Sequence, residues 1–399
     1  MSEAKGPLAG LRVIDASMLF AGPVIGTLMG DFGADVIKVE HPRGDPLRSL
    51  GWQKNDVSLW WAFVSRNKRM VSLDLSKPEG GTVFKELAAT ADVIIEGFRP
   101  GTMERWGIGP EVLHELNPNL VIVRVSGFGQ TGPQSSKPGF GTVAESISGF
   151  AHLNGFPDGP PILPPFALGD GVAALFGTFA TMFSLYHRDV GGGTGQVIDL
   201  SLYEPLFWLL GPQALAYDQL GVVPGRNGSS TEWTAPRNAY QASDGKWLGL
   251  SASAQSIAER VMGVIGHPEV IEEPWFSDHE GRVAHQELLD SLIAEWVGAR
   301  PTTEVLEKFE EAGAVIGPIY SIADIFEDAQ YRARETITTV DDPRLGPVRL
   351  QNVIPLLSAT PGSVRYLGGE LGEHNSEILC DELGHSLEEL EVWGDAGIV

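Results

Sequence analysis

The sequence predicts an α/β fold in which a largely parallel sheet is covered by helices. Two observations predict it: the chain up to Glu40 reads as strand, glycine-rich turn, helix and strand, and the same alternation then recurs. Such alternation is typical of parallel sheets, because each crossover lays a helix on one face of the sheet. With 399 residues, the chain is long enough for two domains or one large elaborated domain.

The first βαβ unit begins with an apolar strand at Leu11–Asp15. Ala21-Gly22-Pro23 then opens a helix that runs through Met29, where proline suits the first helical turn, and Ala34–Glu40 is the second strand. Further strands and helices alternate in the same way, at Met70–Leu75, Pro78–Thr90, Asp92–Glu96, Gly109–Leu116 and Leu120–Ser126.

Beyond Gly139 the chain becomes helical and apolar. Helices are predicted at Ala144–His152 and Asp170–Arg188, and the small residues of the second permit close packing. A glycine-rich run, Gly191–Gly195, ends that helix, and Gln196–Leu200 is predicted to return to the sheet as a strand.

A second unit is predicted to begin at Gly225–Ser230. Its elements are a hairpin around Asp244-Gly245, two helices and a closing strand, at Ala239–Leu250, Ala254–Ile265, Arg282–Ala299 and Val315–Ser321. After the stretch Ile322–Ala329 come short strands and an acidic helical tail at Ser376–Leu383 and Leu387–Trp393, with no sign of a third core. We therefore predict a large domain from 1–224, a small domain from 225–325, and a final segment, 326–399, that packs on a core already built.

The net charge of the chain limits the kinds of partner that we expect it to bind. Asp and Glu number 52 against 28 Lys and Arg, a formal charge of −24, which argues against nucleic acid or an anionic membrane as the main partner. A polyanionic ligand must then be met by locally placed cations. The single cysteine, Cys380, excludes an intrachain disulfide, and the nine histidines show no metal-ligand spacing. We expect no metal, no permanently bound cofactor and, because no signal peptide or membrane-spanning run is apparent, a cytoplasmic protein.

Cations gather in two loops that follow predicted strands. Arg43 and Arg48 lie in the first loop, and Arg99 and Arg105 lie in the second with Phe98, an aromatic that could contact an adenine. Strand-end loops of parallel sheets are where nucleotide-containing ligands bind, and arginine binds phosphate bidentately. The alternative is that these arginines are surface partners of the abundant carboxylates. The chain has neither the Gly-x-Gly-x-x-Gly fingerprint after its first strand nor a P-loop.

Asp170 is a lone carboxylate at the head of an apolar helix, flanked by Gly169 and Gly171. An aspartate at this place is commonly the helix N-cap. The functional alternative is a partly desolvated nucleophile, with glycines that let a substrate approach the backbone.

An ordered series of motifs across nearly the whole chain resembles the class III coenzyme A transferases, which include formyl-CoA transferase and the carnitine CoA-transferases, with α-methylacyl-CoA racemases as relatives. The motifs are Gly10-Leu-Arg-Val-Ile-Asp15 with Ala21-Gly22-Pro23, Gly33-Ala-Asp-Val-Ile-Lys-Val-Glu40, Arg66-Asn67-Lys68, Leu73-Asp-Leu75, Pro78-Glu-Gly80, Ala91-Asp-Val93, Phe98-Arg-Pro-Gly101, Ser126-Gly-Phe-Gly-Gln-Thr-Gly-Pro133, Gly195-Gln196, Asp199-Leu-Ser-Leu202 and Leu371-Gly-Glu-His374.

The resemblance implies a Rossmann-like large domain formed by both chain ends, a smaller inserted α/β domain, and an interlocked, ring-like homodimer. It implies transfer of CoA from an acyl-CoA donor, such as succinyl-CoA, to a free carboxylic acid. The family's nucleophilic aspartate falls on Asp170, which would form an aspartyl–acyl anhydride and then an aspartyl–CoA thioester. Backbone N–H groups near Gly171 and in a mobile loop of the small domain are candidates for stabilising the oxyanions.

The CoA contacts implied by the resemblance fall on both cation loops and nearby segments: Leu19, His41, Arg43, Leu73, Ser76, Gly97, Phe98, Arg99, Arg105 and Lys137. His41 stands where formyl-CoA transferase has arginine, and Arg43 is a candidate substitute.

Two departures from relatives narrow the reaction. The racemases have a histidine base where this chain has Phe140, which cannot move a proton, and formyl-CoA transferase has a glutamine where this chain has Phe20. Phe20, Phe140 and Phe166 line an apolar acyl pocket or pack in the core. The remaining alternatives are a racemase and a non-catalytic subunit of a heteromeric transferase.

Overall fold

A computed structural model describes residues 6–399 and confirms the α/β fold. Its centre is a six-stranded parallel sheet with the order β5-β2-β1-β6-β7-β8. Counted among themselves, these six strands run in the 3-2-1-4-5-6 order of doubly wound nucleotide-binding folds. The strands of the chain are β1 (Arg12–Asp15), β2 (Asp35–Glu40), β3 (Gln53–Lys54), β4 (Val57–Ser58), β5 (Lys68–Ser72), β6 (Val93–Glu96), β7 (Val121–Ser126), β8 (Val197–Ser201), β9 (Arg237–Gln241), β10 (Trp247–Ser251), β11 (Ile316–Pro318), β12 (Ile337–Asp342) and β13 (Gly346–Gln351).

Helices cover both faces of this sheet and recur along the rest of the described chain. They are α1 (Ala21–Asp31), α2 (Leu59–Val64), α3 (Pro78–Ala89), α4 (Thr102–Arg105), α5 (Pro110–Leu116), α6 (Gly141–Ile147), α7 (Phe150–Leu153), α8 (Leu168–Asp189), α9 (Glu204–Leu209), α10 (Gln213–Leu220), α11 (Gln255–Ile265), α12 (His279–Ala284), α13 (Gln286–Gly298), α14 (Thr302–Glu311), α15 (Ile322–Glu327), α16 (Ala329–Ala333) and α17 (Leu387–Asp395), with a π-helical segment at Ser376–Glu382.

Alternate residues of the sheet strands feed two separate cores, as the period of two in a strand requires. In β1, Val13 packs in the core shared with α1 and α8, whereas Ile14 packs in the core shared with α3 and α5. The small residues of α8 allow its close approach: Ala173, Ala174 and Gly177 are buried, and a Cβ on Gly177 would lie 2.4 Å from Ile25. This packing places the N-terminus of α8 at the carboxyl edge of the sheet.

The chain divides into two compact units, of which the first combines both chain ends. It comprises the residues up to Phe150, Leu163–Ala214 and Gln330–Val399. The tail joins the sheet by direct contacts, because Asn375 accepts from the backbone N–H of Ser72 at 3.0 Å and Ile378 is buried in the core with α3. The acidic tail is thus part of the first unit's core.

The second unit, Ala151–Ile162 with Leu215–Ala329, contains a three-stranded antiparallel sheet in the order β11-β10-β9, covered by α11, α13 and α14. Arg282 is buried there and donates to the carbonyl of Ala235 at 2.8 Å. The domain boundaries that the sequence predicts at residues 225 and 325 stay predictions.

Two predicted helices differ from the structure. Ala144–His152 is interrupted because Gly149 adopts φ +95, which ends α6 before α7 begins. Arg282–Ala299 is divided at His285 into α12 and α13. Helix α12 also starts before Arg282, because Asp278 caps it by accepting from Gly281 N at 2.7 Å. Where the sequence predicts no element, the structure has α15 and α16, which are separated by Asp328. Short elements, including α9, α10 and α14, were not predicted at all.

Helix α8 is long and apolar enough to cross a membrane, by length and composition alone. Of its most apolar 18 residues, 39% are buried inside the protein. Since the buried residues pack against α1 and the sheet, α8 is the central helix of the first unit's core.

Candidate active site

A cavity of about 380 Å³ opens at the carboxyl edge of the sheet in the first unit. Its walls are the loops that follow β1, β6 and β7, together with the N-terminus of α8; they contribute Met18 to Gly22, Gly97 to Pro100, Thr102, Val125 to Gly127, Ser135, Lys137 to Phe140, Asp170 and Leu202. Strand β1 lies between β2 and β6, where the direction of strand order reverses. Ligands of doubly wound folds bind in the crevice at this reversal.

Asp170 reaches the cavity from the first turn of α8. The sequence left open whether it is the helix N-cap; the structure places Ala167 at the N-cap, and no side-chain cap is present. The Asp170 carboxylate is therefore free of the capping role and is available to the cavity.

Two residues of α6 surround this carboxylate. A Cβ built on Gly141 would lie only 2.0 Å from Asp170 Oδ2, so the absence of a side chain at Gly141 makes the space for the carboxylate. Glu145, one turn further along α6, is 3% exposed and its Oε1 accepts a hydrogen bond from Gly169 N at 3.0 Å.

The environment makes Asp170 an unusually basic aspartate. Burial, and then the negative charge of Glu145, raise its pKa from 3.8 to about 6, against a smaller lowering by its own backbone N–H. At neutral pH the group is still mostly ionised. It is thus a desolvated carboxylate that can act as a nucleophile.

Two cations, Arg99 and Lys137, line the cavity wall. Arg99 and Lys137 are exposed and form no ion pair with a carboxylate anywhere in residues 6–399. Arg48, by contrast, donates to both oxygens of buried Glu40 at 2.8 and 2.7 Å and stacks on Trp61. Arg48 is therefore the partner of a carboxylate, as the alternative interpretation holds, whereas Arg99 is available to bind an anionic ligand.

Comparison with known proteins assigns nearly the whole length of the chain to one family. The family model described as CoA-transferase family III matches residues 8–375. The chain belongs to this family. The succinyl-CoA–D-citramalate CoA-transferase of Chloroflexus aurantiacus is 41% identical over 386 residues, covering 96% of each chain. The beta subunit of that organism's succinyl-CoA–L-malate CoA-transferase is also 41% identical, over 389 residues, with the same coverage.

Solved structures agree with this family III CoA-transferase fold. A CAIB/BAIF family protein from Brucella suis superimposes with a TM-score of 0.82 at 30% identity, covering 94% of this chain and 99% of its own. A Mycobacterium tuberculosis protein superimposes with a TM-score of 0.82 at 25% identity and the same coverage. The chain is a CoA-transferase, and CoA esters are its substrates.

Of the predicted CoA-contacting residues, five line the transferase's cavity with Asp170: Leu19, Gly97, Phe98, Arg99 and Lys137. Phe98 also packs its ring edge-on against Trp106, with centroids 5.0 Å apart, so its orientation is fixed by the core.

The other five predicted contacts do not line this cavity. Leu73 is 1% exposed and its side chain lies in the core, while Ser76 Oγ donates to Asp74 at 2.6 Å. His41 Nδ1 accepts from Arg43 N at 3.0 Å, and Arg105 donates to Thr102 Oγ1 at 2.8 Å. The Arg43 side chain is exposed and forms no ion pair within the part of the chain that the structure describes.

The three phenylalanines proposed for an acyl pocket differ in whether they line the cavity. Phe20 and Phe140 line the cavity, and Phe140 is 62% exposed, so it is not a core residue. Phe166 is exposed and lies outside the cavity wall. Gly171 N donates to Ala167 O at 3.0 Å within the first turn of α8, and the oxyanion donors near Gly171 stay a prediction.

The loop after β1 is held by a buried ionic network that sequence reasoning missed. Leu19 has φ +64, and its N–H donates to both oxygens of Asp45 at 3.2 Å. Asp45 in turn lies 3.4 Å from Lys38 Nζ, which is fully buried and also lies 3.8 Å from Asp15. The buried charges of Asp45 and Lys38 thus hold this part of the cavity wall in one conformation.

We predict that Asp170→Asn stabilises the fold at neutral pH. Folding raises the pKa of Asp170 from 3.8 to about 6. Between these two pH values the folded state keeps a proton that the unfolded state has lost, so the free energy of unfolding falls as pH rises through the interval. The difference approaches about 3 kcal/mol, less some solvent screening. Urea unfolding should show the variant more stable at pH 8 and equal to wild type near pH 4; equal stability at both pH values would contradict the prediction.

Proposed function

We propose that this chain transfers CoA from succinyl-CoA or a similar small acyl-CoA to a free carboxylic acid, with Asp170 as the covalent nucleophile. The carrying observation is the desolvated Asp170 carboxylate, which faces a cavity whose cations, Arg99 and Lys137, have no carboxylate partner among the described residues. Relatives named for succinyl-CoA with citramalate, malate or mesaconate support the donor and the class of acceptor.

In the proposed mechanism, an Asp170 oxygen attacks the thioester carbonyl carbon, the C–S bond breaks, and CoA leaves as a thiolate. This forms an aspartyl–acyl anhydride. The thiolate attacks the aspartyl carbonyl and releases the donor acid, which leaves an aspartyl–CoA thioester. The acceptor carboxylate then attacks that thioester to form a second anhydride, from which the thiolate takes the new acyl group and frees Asp170.

The cavity wall disfavours α-carbon racemisation. Phe140 occupies the wall where the racemases have their histidine base, and the lining residues include one carboxylate, Asp170, and no histidine. Exchange of the α-proton in deuterated water, if it were observed, would contradict the transferase proposal.

The relatives also raise the question of a second subunit, since both a beta and an alpha subunit of the L-malate enzyme resemble this chain. We propose that the chain works as a homodimer. In α8 and α9, Phe183, Tyr186 and Trp208 expose about two thirds of their surface, an apolar face that isolated chains seldom present to water. Light scattering of the purified chain tests the dimer; a monomer that is active would contradict it. A cytoplasmic location remains our proposal.

The experiment that tests the function mixes the purified chain with succinyl-CoA and separate acids: citramalate, malate, mesaconate and oxalate. Formation of the acceptor's CoA thioester by the single chain supports the proposal. No transfer to any acid, and no adduct on Asp170 by mass spectrometry, would favour the non-catalytic subunit.

We predict that Arg99→Ala and Lys137→Ala raise the KM for the acyl-CoA with a smaller change in kcat. Each loses one charge-assisted contact with a CoA phosphate, worth about 1.5–3 kcal/mol, or roughly 10- to 100-fold. Lys308→Ala removes an exposed cation of α14 that forms no ion pair among the described residues, and it should leave KM unchanged. Steady-state kinetics at two salt concentrations make the comparison; unchanged KM in both cavity variants would place the CoA phosphates elsewhere.

A further inference from the structure

Glu145 is a buried carboxylate of α6. It is 3% exposed and forms no ion pair within residues 6–399. An unpaired buried charge is costly, and replacement by an apolar residue would ordinarily be favourable. What holds Glu145 is the N-terminus of α8, since its Oε1 accepts from Gly169 N at 3.0 Å, where the helix dipole favours a negative charge.

This bond supplies what the start of α8 lacks. The N-cap residue, Ala167, has no side chain that can accept from the first-turn N–H groups, so a carboxylate from α6 does so instead. The bonded residue, Gly169, immediately precedes Asp170. Glu145 therefore fixes the segment of backbone that carries the Asp170 carboxylate.

We propose that Glu145 is a positioning residue for the nucleophile: it holds the start of α8 and keeps a second negative charge beside Asp170, so that acylation of Asp170 relieves the repulsion between the two carboxylates. This inference rests on the proposed function, in which Asp170 attacks the thioester. In that step Asp170 loses its charge as its oxygen bonds to the acyl carbon, and the departing thiolate carries the electron pair of the broken C–S bond. The repulsion is present before the step and absent after it.

The other charged groups near Asp170 do not have this effect. Arg99 and Lys137 line the same cavity but are exposed. Glu204, on α9, which packs against α8, accepts from Ser201 Oγ at 2.5 Å. Among charged neighbours, the charge of Glu145 is the one that raises the pKa of Asp170.

The test compares Glu145→Gln with Glu145→Ala and the matched control Glu204→Gln. The glutamine oxygen can still accept from Gly169 N but carries no charge, whereas alanine removes both functions. The first readout is the titration of the Asp170 ¹³Cγ resonance in the ligand-free protein, assigned by its loss in Asp170→Asn; the second is the pH profile of kcat.

In Glu145→Gln we expect the Asp170 midpoint to fall from about 6 toward the ordinary aspartate range, the acid limb of kcat to move down in pH by the same amount, and the plateau kcat to fall severalfold. Glu204→Gln should leave the midpoint in place. A purely structural role would leave titration and kcat of Glu145→Gln unchanged and impair only Glu145→Ala; that result would overturn the proposal. A moved midpoint together with transfer that never labels Asp170 would instead overturn the proposed function, and with it the catalytic part of this inference.

Discussion

Asp170→Asn is expected to lower kcat for CoA transfer by ~10³-fold or more, because no anhydride can form when the nucleophilic oxygen is lost. Asparagine keeps the shape of the side chain beside Gly141, so the cavity wall should remain in place. Binding of the acyl-CoA should therefore change little, since Arg99 and Lys137 are untouched. Rapid mixing with succinyl-CoA, followed by mass spectrometry of the intact chain, should show a CoA adduct on wild type and none on the variant.

Asp170→Ala is the companion variant, because alanine cannot be hydrolysed back to aspartate. Peptide mapping after hydroxylamine treatment should place the wild-type adduct at Asp170. Transfer by the alanine variant at a wild-type rate would exclude the aspartyl mechanism. The same substitution should stabilise the fold at neutral pH, since the desolvated charge beside Glu145 is removed.

The local periodicity of the chain was enough to predict most of the parallel sheet. Strands such as β2 and β7 carry Val and Ile on both faces and alternate with helices, and these signals are local. Where the prediction differed, backbone conformation decided the outcome, as when the positive φ of Gly149 separates α6 from α7. Helix α14 was missed although Val305 and Phe309 have helical spacing.

The candidate site was only partly predictable, because pairing of charges depends on tertiary contacts. Arg48 and Arg99 look alike in sequence, yet only Arg48 meets a buried carboxylate, Glu40. Glu145 gave no sequence signal at all: its partner, Gly169, lies 24 positions away and meets it only because α6 packs on α8. Resemblance to a family supplied Asp170, but the two α6 residues beside it came from the structure.

Gly141→Ala is expected to reduce kcat by roughly 10²-fold while changing stability little. The new Cβ would lie 2.0 Å from Asp170 Oδ2 and 3.0 Å from its Cγ, so contact is impossible without movement. The obstructing atoms are the end of a side chain, which can rotate away at small cost, whereas a nucleophile displaced by about 1 Å can lose about 10²-fold in rate. Steady-state kinetics and thermal unfolding of the same preparation measure the two effects.

Gly263→Ala is the matched control, since a Cβ at this position in α11 meets no atom within 4 Å. Gly141 is the first residue of α6 and Gly263 lies in the last turn of α11, so alanine should favour the helix at each site by less than the interior value of about 1 kcal/mol. The two variants should then have similar melting temperatures, and only Gly141→Ala should lose activity and adduct formation. Wild-type kcat in Gly141→Ala would mean that Asp170 does not react from the position it occupies beside α6, and a large fall in its melting temperature would mean that the side chain cannot rotate away.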